Sequence, residues 1–180
     1  RAMAAIPDER HLPTLMDMLA HGRLRGTARR AILAVGPVAL SYLDEALWDT
    51  SLPRKVRRHL PRTISRFDPR RAASVLLRHL AEEDDGAVRY KILRGLGRIR
   101  ADHPEVPLDR RLLRQLVDET LARTVQFLDW RLATERAQGG DRALRTPGGE
   151  LLVAVLQEKE ARALERVFRL LGLLHSGEDF

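Results

Sequence analysis

The chain has no cysteine among its 180 residues. That excludes a disulfide scaffold and thiolate-held zinc, and it is compatible with a reducing compartment. Aromatic residues are scarce, at 4%. The core must then be built from Leu, Ala, Val and Ile, which favours packed helices over a β-sandwich. No run approaches the roughly 18 apolar residues of a membrane span. No charged-then-apolar signal segment opens the chain. These absences set the expectation of a cytoplasmic chain with no membrane insertion of its own. The first residue is Arg1, with no initiator Met, which sets the further expectation of a piece cut from a longer protein.

Asparagine is also absent, and Lys is nearly so: Arg outnumbers it 29 to 3. A GC-rich genome produces that bias unaided. The placement of charge is more informative than its total. Residues 51–100 hold 14 Lys and Arg against 5 Asp and Glu, a net of +9, so the other 130 residues sum to −2 of the overall +7. A local basic block points to an anionic partner.

A pattern of apolar, Arg, two residues, apolar, two residues, small, apolar, Gly recurs along the chain. It runs Val88, Arg89, Ile92, Gly95, Leu96, Gly97, and earlier Val56, Arg57, Leu60, Thr63, Ile64, Ser65. A looser copy runs Thr27, Ala28, Ala31, Ala34, Val35, Gly36, with Ala28 in the Arg position. The starts lie 29 and 32 residues apart. A period near 30 with helical spacing predicts stacked helix pairs. Each unit has an earlier helix, predicted at 11–20, 37–48 and 69–81 from apolar stripes at i, i+3/i+4, i+7. Pro37 and Pro69 suit helix starts, and Asp68 suits an N-cap. Pro61 predicts a kink inside the second helix of unit two.

After Pro107 the period is lost. Leu112, Leu116, Leu121, Val125, Leu128 and Leu132 predict a long helix over 108–138, and a last one is predicted over 151–174. The Gly-rich, charged stretch near 136–150 predicts a flexible loop between them. The wide apolar coverage of the last helix predicts full burial, or contact with a partner or a second copy. The reading is one all-α domain over 1–180. Residues 11–104 form an α-solenoid of about three helix pairs, and 105–180 form a long helical cap.

The repeated unit resembles the HEAT repeat over roughly residues 11–104, with unit three the best match through Asp84, Asp85, Val88 and Arg89. In that family the Arg pairs with an Asp of a neighbouring unit to form a ladder along the stack. The resemblance assigns that structural role to Arg57 and Arg89, with Ala28 interrupting it. More narrowly, PRTISRF, RYKILRGLGRIR and EKEARALERVFRLLGLLHSGEDF are similar to the soluble HEAT-bearing region of bacterial multidomain proteins related to ATP/ADP translocases. That likeness implies a bacterial, cytoplasmic appendage of a membrane-tethered parent. No transporter segment is present, so no transport activity carries over.

Positions turning away from the repeat core hold Arg58/His59, Arg62 and Arg66 in unit two, and Tyr90/Lys91, Arg94 and Arg98 in unit three. Unit one holds Arg29/Arg30, then Leu33 and Pro37. In a solenoid the second helices line the concave surface. Arg58, Arg62, Arg66, Lys91, Arg94 and Arg98 are therefore the candidate partner-binding residues, since Arg forks suit carboxylates and phosphates. A merely solvated helix face is the alternative. A protein partner with an acidic segment is the expected ligand, with nucleic acid as the other reading. Against nucleic acid, only Phe67 and Tyr90 are aromatic between 51 and 100. Base excision would need a groove carboxylate. The nearest local pair, Asp129–Trp130, lies outside the basic block and suits core packing beside surface charge.

GLGRIR at 95–100 follows a helical run and not a strand, so it is no dinucleotide loop. The histidines at 11, 21, 59, 79, 103 and 175 lack metal-ligand spacing. No Ser sits in a nucleophile elbow. No catalytic residue, metal or cofactor is assigned.

Overall fold

The computed structural model describes residues 8–140 and 146–175, with no strand among them. It divides into two compact units, Arg1–Asp109 and Arg110–Phe180. The sequence reading took one domain with its repeats ending at 104.

In the first unit a 3-10 turn, Glu9–His11, leads into α1 (Leu12–Met18), followed by α2 (Arg25–Val35) and α3 (Pro37–Trp48). Leu12, Leu15, Met16 and Leu19 form the buried stripe of α1 and its C-cap. Gly36 joins α2 to α3 with φ +86° and ψ −150°. That region belongs to glycine, because a Cβ there meets the backbone. It lets the chain turn by 120° between the two helices. Pro37 then starts α3 without losing a needed donor.

The second helix of unit two differs from its prediction. It breaks into α4 (Arg54–Arg57) and α5 (Leu60–Ile64). Pro61 lies in the first turn of α5, where its missing N–H is one of the donors that have no intrahelical partner anyway. The proline sets a break ahead of it, at Arg58–His59, and not a kink within a continuous helix.

Helix α6 (Pro69–Glu82) begins as its sequence predicts: the Asp68 side chain accepts from Arg71 N at 3.0 Å. Asp85 caps α7 (Gly86–Asp102) through Ala87 N at 2.8 Å and Val88 N at 3.1 Å. The core joins Leu19, Ile32, Leu43, Leu47, Leu60, Ile64, Leu76, Leu80, Ile92 and Leu96, none of them solvent-exposed.

Two glycines of α7 play opposite parts. A Cβ on Gly95 would lie 2.9 Å from Leu76 Cδ1 and 3.2 Å from the Pro61 carbonyl oxygen, so α7 approaches α5 closely there. A Cβ on Gly97 would meet nothing within 4 Å. Gly97→Ala should therefore stabilise the chain by up to ~1 kcal/mol through helix propensity. Gly95→Val should destabilise it by about 1–3 kcal/mol through overpacking. Urea midpoints that moved in the same direction for both would sink this account.

The second unit pairs α8 (Arg110–Gly140) with α9 (Pro147–Leu174). The connection is too short to reach back along a helix of 28 residues, about 42 Å long, so the two run antiparallel. Arg131 ties them, donating from Nε to Glu160 Oε2 at 2.9 Å. The predicted loop near 136–150 is helical at both ends, to Gly140 and from Pro147; its middle, 141–145, lies outside the described residues.

The apolar stripe of α8 also differs from its prediction. Leu121 and Val125 are exposed, while Thr120 and Thr124 are buried. Each threonine hydroxyl donates to a carbonyl one turn back, Leu116 O at 2.6 Å and Thr120 O at 2.8 Å, so burial leaves it satisfied. Helix α9 buries Leu156, Ala163, Val167, Leu170, Leu173 and Leu174 but exposes Leu151, Leu152, Val155, Leu164 and Phe168. Full burial of that helix is not what forms. Trp130 is half exposed against the edge of Phe127, not in the core. Among the described residues no single helix is long and apolar enough to cross a membrane.

Candidate functional site

The candidate side chains come from three elements of the first unit: α2, the α4–α5 segment and α7. Ala28, Val56 and Val88 are all buried, as are Ile32, Leu60 and Ile92. On α2 the buried Ala28 is followed by Arg29, as Val56 is by Arg57 and Val88 by Arg89.

Arg57 is buried, with Nη2 donating to Glu83 Oε2 at 2.8 Å and to Leu47 O at 3.0 Å. Arg89 Nη1 reaches the Glu83 carbonyl oxygen at 3.4 Å. Both arginines thus meet Glu83. The ladder acid expected from the resemblance is an Asp, but Arg57 pairs with a Glu; Asp85, one of the acidic pair before Val88, caps α7 and accepts from Arg54 Nη2 at 3.0 Å.

The six candidate binding residues are brought together. Arg58, Arg62, Arg66 and Arg94 are exposed; Lys91 and Arg98 are half-buried. Burial and then Arg94, Arg58 and Arg62 lower the Lys91 pKa. Burial and then Arg62, Arg66 and Arg94 lower that of Arg98, with Asp102 partly opposing. Arg98 Nη1 donates to Ser65 Oγ at 3.3 Å. Tyr90 lies beside Lys91 and Arg94, its ring centroid 5.4 Å from Lys91 Nζ and 6.0 Å from Arg94 Cζ.

None of these six cations forms an ion pair among the described residues. Elsewhere in the same unit arginines do pair, as Arg54–Asp85, Arg57–Glu83 and Arg78–Asp44. The face is therefore positive because no carboxylate pairs with its cations, and not merely because arginine is abundant.

Two further arginines of α2 belong to this field: Arg25, held by Leu19 O at 2.6 Å, and Arg29. The sequence reading places Arg29 among the outward-turning positions but does not include Arg25. The field is felt at His59, whose pKa is pushed down to about 4 by burial and then by Arg25, Arg58, Arg29 and Lys91. An unfolded His takes its proton near pH 6.5. The folded chain refuses that proton until about pH 4. Stability must fall as pH drops through that window. His79, lowered by burial against the pull of Asp44, acts in the same direction. His59→Gln should shrink the loss of melting temperature between about pH 7 and pH 5. An unchanged loss would remove cation crowding at His59 as a contributor.

A concavity of about 410 Å³ lies between α3 and α6, lined by Leu40, Ser41, Asp44, Arg70, Arg71 and Ser74 among others. The two Asp44 oxygens are taken by Arg78 Nη2 and His79 Nε2, each at 2.7 Å, so its carboxylate is committed to structure. No group of three or more His, Asp or Glu side chains among the described residues forms a metal-ligand set. Asp129, the carboxylate of the base-excision reading, belongs to α8 of the second unit. No protein-family model, curated protein or solved structure matches the chain.

Proposed function

We propose that the first unit is a HEAT-like α-solenoid whose basic face holds an acidic segment of a protein partner, without catalysis. The burial of Ala28, Val56 and Val88, each followed by an arginine, supports the repeat. The observation that carries the binding role is the set of Arg58, Arg62, Arg66, Lys91, Arg94 and Arg98 without ion-paired carboxylates. Mutual repulsion disfavours that arrangement in the free protein, and an anionic ligand relieves it. Arginine forks then add directional bonds to each carboxylate.

A second reading, binding of a nucleic-acid backbone, draws on Tyr90 flanked by Lys91 and Arg94, a ring and two cations able to take a base and its phosphates. Fluorescence anisotropy separates the two. A labelled Glu-rich peptide and a labelled random-sequence duplex are titrated with the chain at about 50 mM and about 200 mM salt. The acidic-segment reading expects peptide binding at both and weak duplex binding at the higher. A duplex bound more tightly than the peptide at both salts would replace it with the nucleic-acid reading.

A further inference from the structure

Arg29 has a feature that the exposed arginines lack. Its residue is only 5% exposed, yet no carboxylate pairs with it. Nε donates to Thr63 Oγ1 at 3.2 Å. Nη2 is closed off from solvent and has no hydrogen-bond partner. Arg57, which also follows a buried apolar residue, has its charge met by Glu83 at 2.8 Å. An arginine in that setting is thus neutralised in one helix and left open in the other. A buried guanidinium without a counter-charge is costly, and an anion from outside the chain would remove the cost.

The surroundings of Arg29 suit such an anion. Its anchor, Thr63, follows Arg62 on α5. Two residues on, Ser65 anchors Arg98, and Arg66 comes next. Two guanidinium groups are therefore pinned to one short stretch of backbone, with the free arms of Arg62 and Arg66 beside them. Arg29 responds to this crowding: burial, then Arg62, Arg66, Arg25 and Arg98, press its pKa down to about 10. At Arg98 the exposed Asp102, a turn further along α7, offsets part of the same pressure.

We propose that Arg29, Arg62, Arg66 and Arg98 form a subsite for a phosphoryl group carried on the acidic segment, as a phosphoserine or phosphothreonine would present it. This rests on the reading of the face as a site for an acidic protein segment. A carboxylate offers one charge and two oxygens, which satisfy one arginine fork. A phosphomonoester offers nearly two charges and three acceptor oxygens, which engage several forks at one point. A nucleic-acid backbone carries one charge per phosphate spread along the strand, a poorer match to cations gathered around a single buried group.

The test titrates the full chain with three labelled versions of one Glu-rich peptide, bearing phosphoserine, Glu or Ser at its centre. The phosphoserine peptide should bind about tenfold or more tighter than the Glu peptide. Arg29→Gln should abolish that preference and leave the Glu peptide bound within a few fold. Arg29 is buried, so its variant is read after circular dichroism and melting. The exposed Arg66→Gln should reduce the preference in the same way and carries the test if Arg29→Gln does not fold. Equal affinity for the phosphoserine and Glu peptides overturns the subsite and leaves the acidic-segment reading standing. No binding of any of the three overturns both. A preference that survives Arg66→Gln overturns the subsite, and so does a duplex bound more tightly than the phosphopeptide.

Discussion

Glu83→Ala should cost the chain about 3–5 kcal/mol, a large fraction of an ordinary domain's stability of about 5–15 kcal/mol. Glu83 and Arg57 are each only 8% exposed, and their ion pair is 2.8 Å long. Arg57 Nε already has no partner, so the guanidinium has little reserve. Without the carboxylate, a charge would stay buried against the Leu47 carbonyl alone. The loss spreads further, because Glu83 Oε1 accepts from Asp85 N at 2.8 Å, just where Asp85 caps α7. Glu83→Gln keeps an acceptor and should cost less. Replacing Arg57 and Glu83 together by Leu should also cost less than Glu83→Ala alone, since no orphan charge remains. Urea denaturation of the wild type and the three variants measures these losses side by side. A Glu83→Ala loss under about 1 kcal/mol would mean that water reaches the pair and screens it.

Arg62→Glu combined with Arg94→Glu should lower affinity for a Glu-rich peptide by about a hundredfold or more, since each reversal removes a charge-assisted bond and adds repulsion. Both side chains are exposed and unpaired, so the melting temperature should hardly move. Relief of crowding at Lys91 and Arg98 would even raise it slightly. Arg70→Glu, on an exposed arginine of α6, reports the effect of net charge alone. A double-variant loss no more than about twice the Arg70→Glu loss, in free energy, would show that affinity follows overall charge and not this face.

Much of the helical layout was legible because the deciding information is local. The stripe Leu40, Leu43, Leu47 reads as one helix face, and Gly36–Pro37 and Asp68–Pro69 announce helix starts by backbone chemistry alone. Pro61 was legible as a disturbance, yet its consequence was not: whether proline kinks a helix or begins one depends on whether the preceding turn can be given up. Thr120 and Thr124 were invisible as core positions, since a threonine is buried only when its hydroxyl finds a carbonyl one turn back. The basic stripe was readable from helical spacing on α5 and α7. On α2 the spacing marks Arg29 and Arg30 as outward-turning, but not that Arg29 is buried against Thr63.

The sequence by itself determined that this chain is helical, where most helices begin and end, and that arginine is concentrated over residues 51–100. Periodicity and capping are properties of a few neighbouring residues, so they survive without a fold. Only the tertiary structure decided which arginines are neutralised and which are left unmet. Arg57 and Glu83 are 26 positions apart, Arg29 and Thr63 are 34, and their distances follow from packing that no local pattern encodes. Burial turns the same guanidinium into a structural ion pair at Arg57 and into an unsatisfied charge at Arg29.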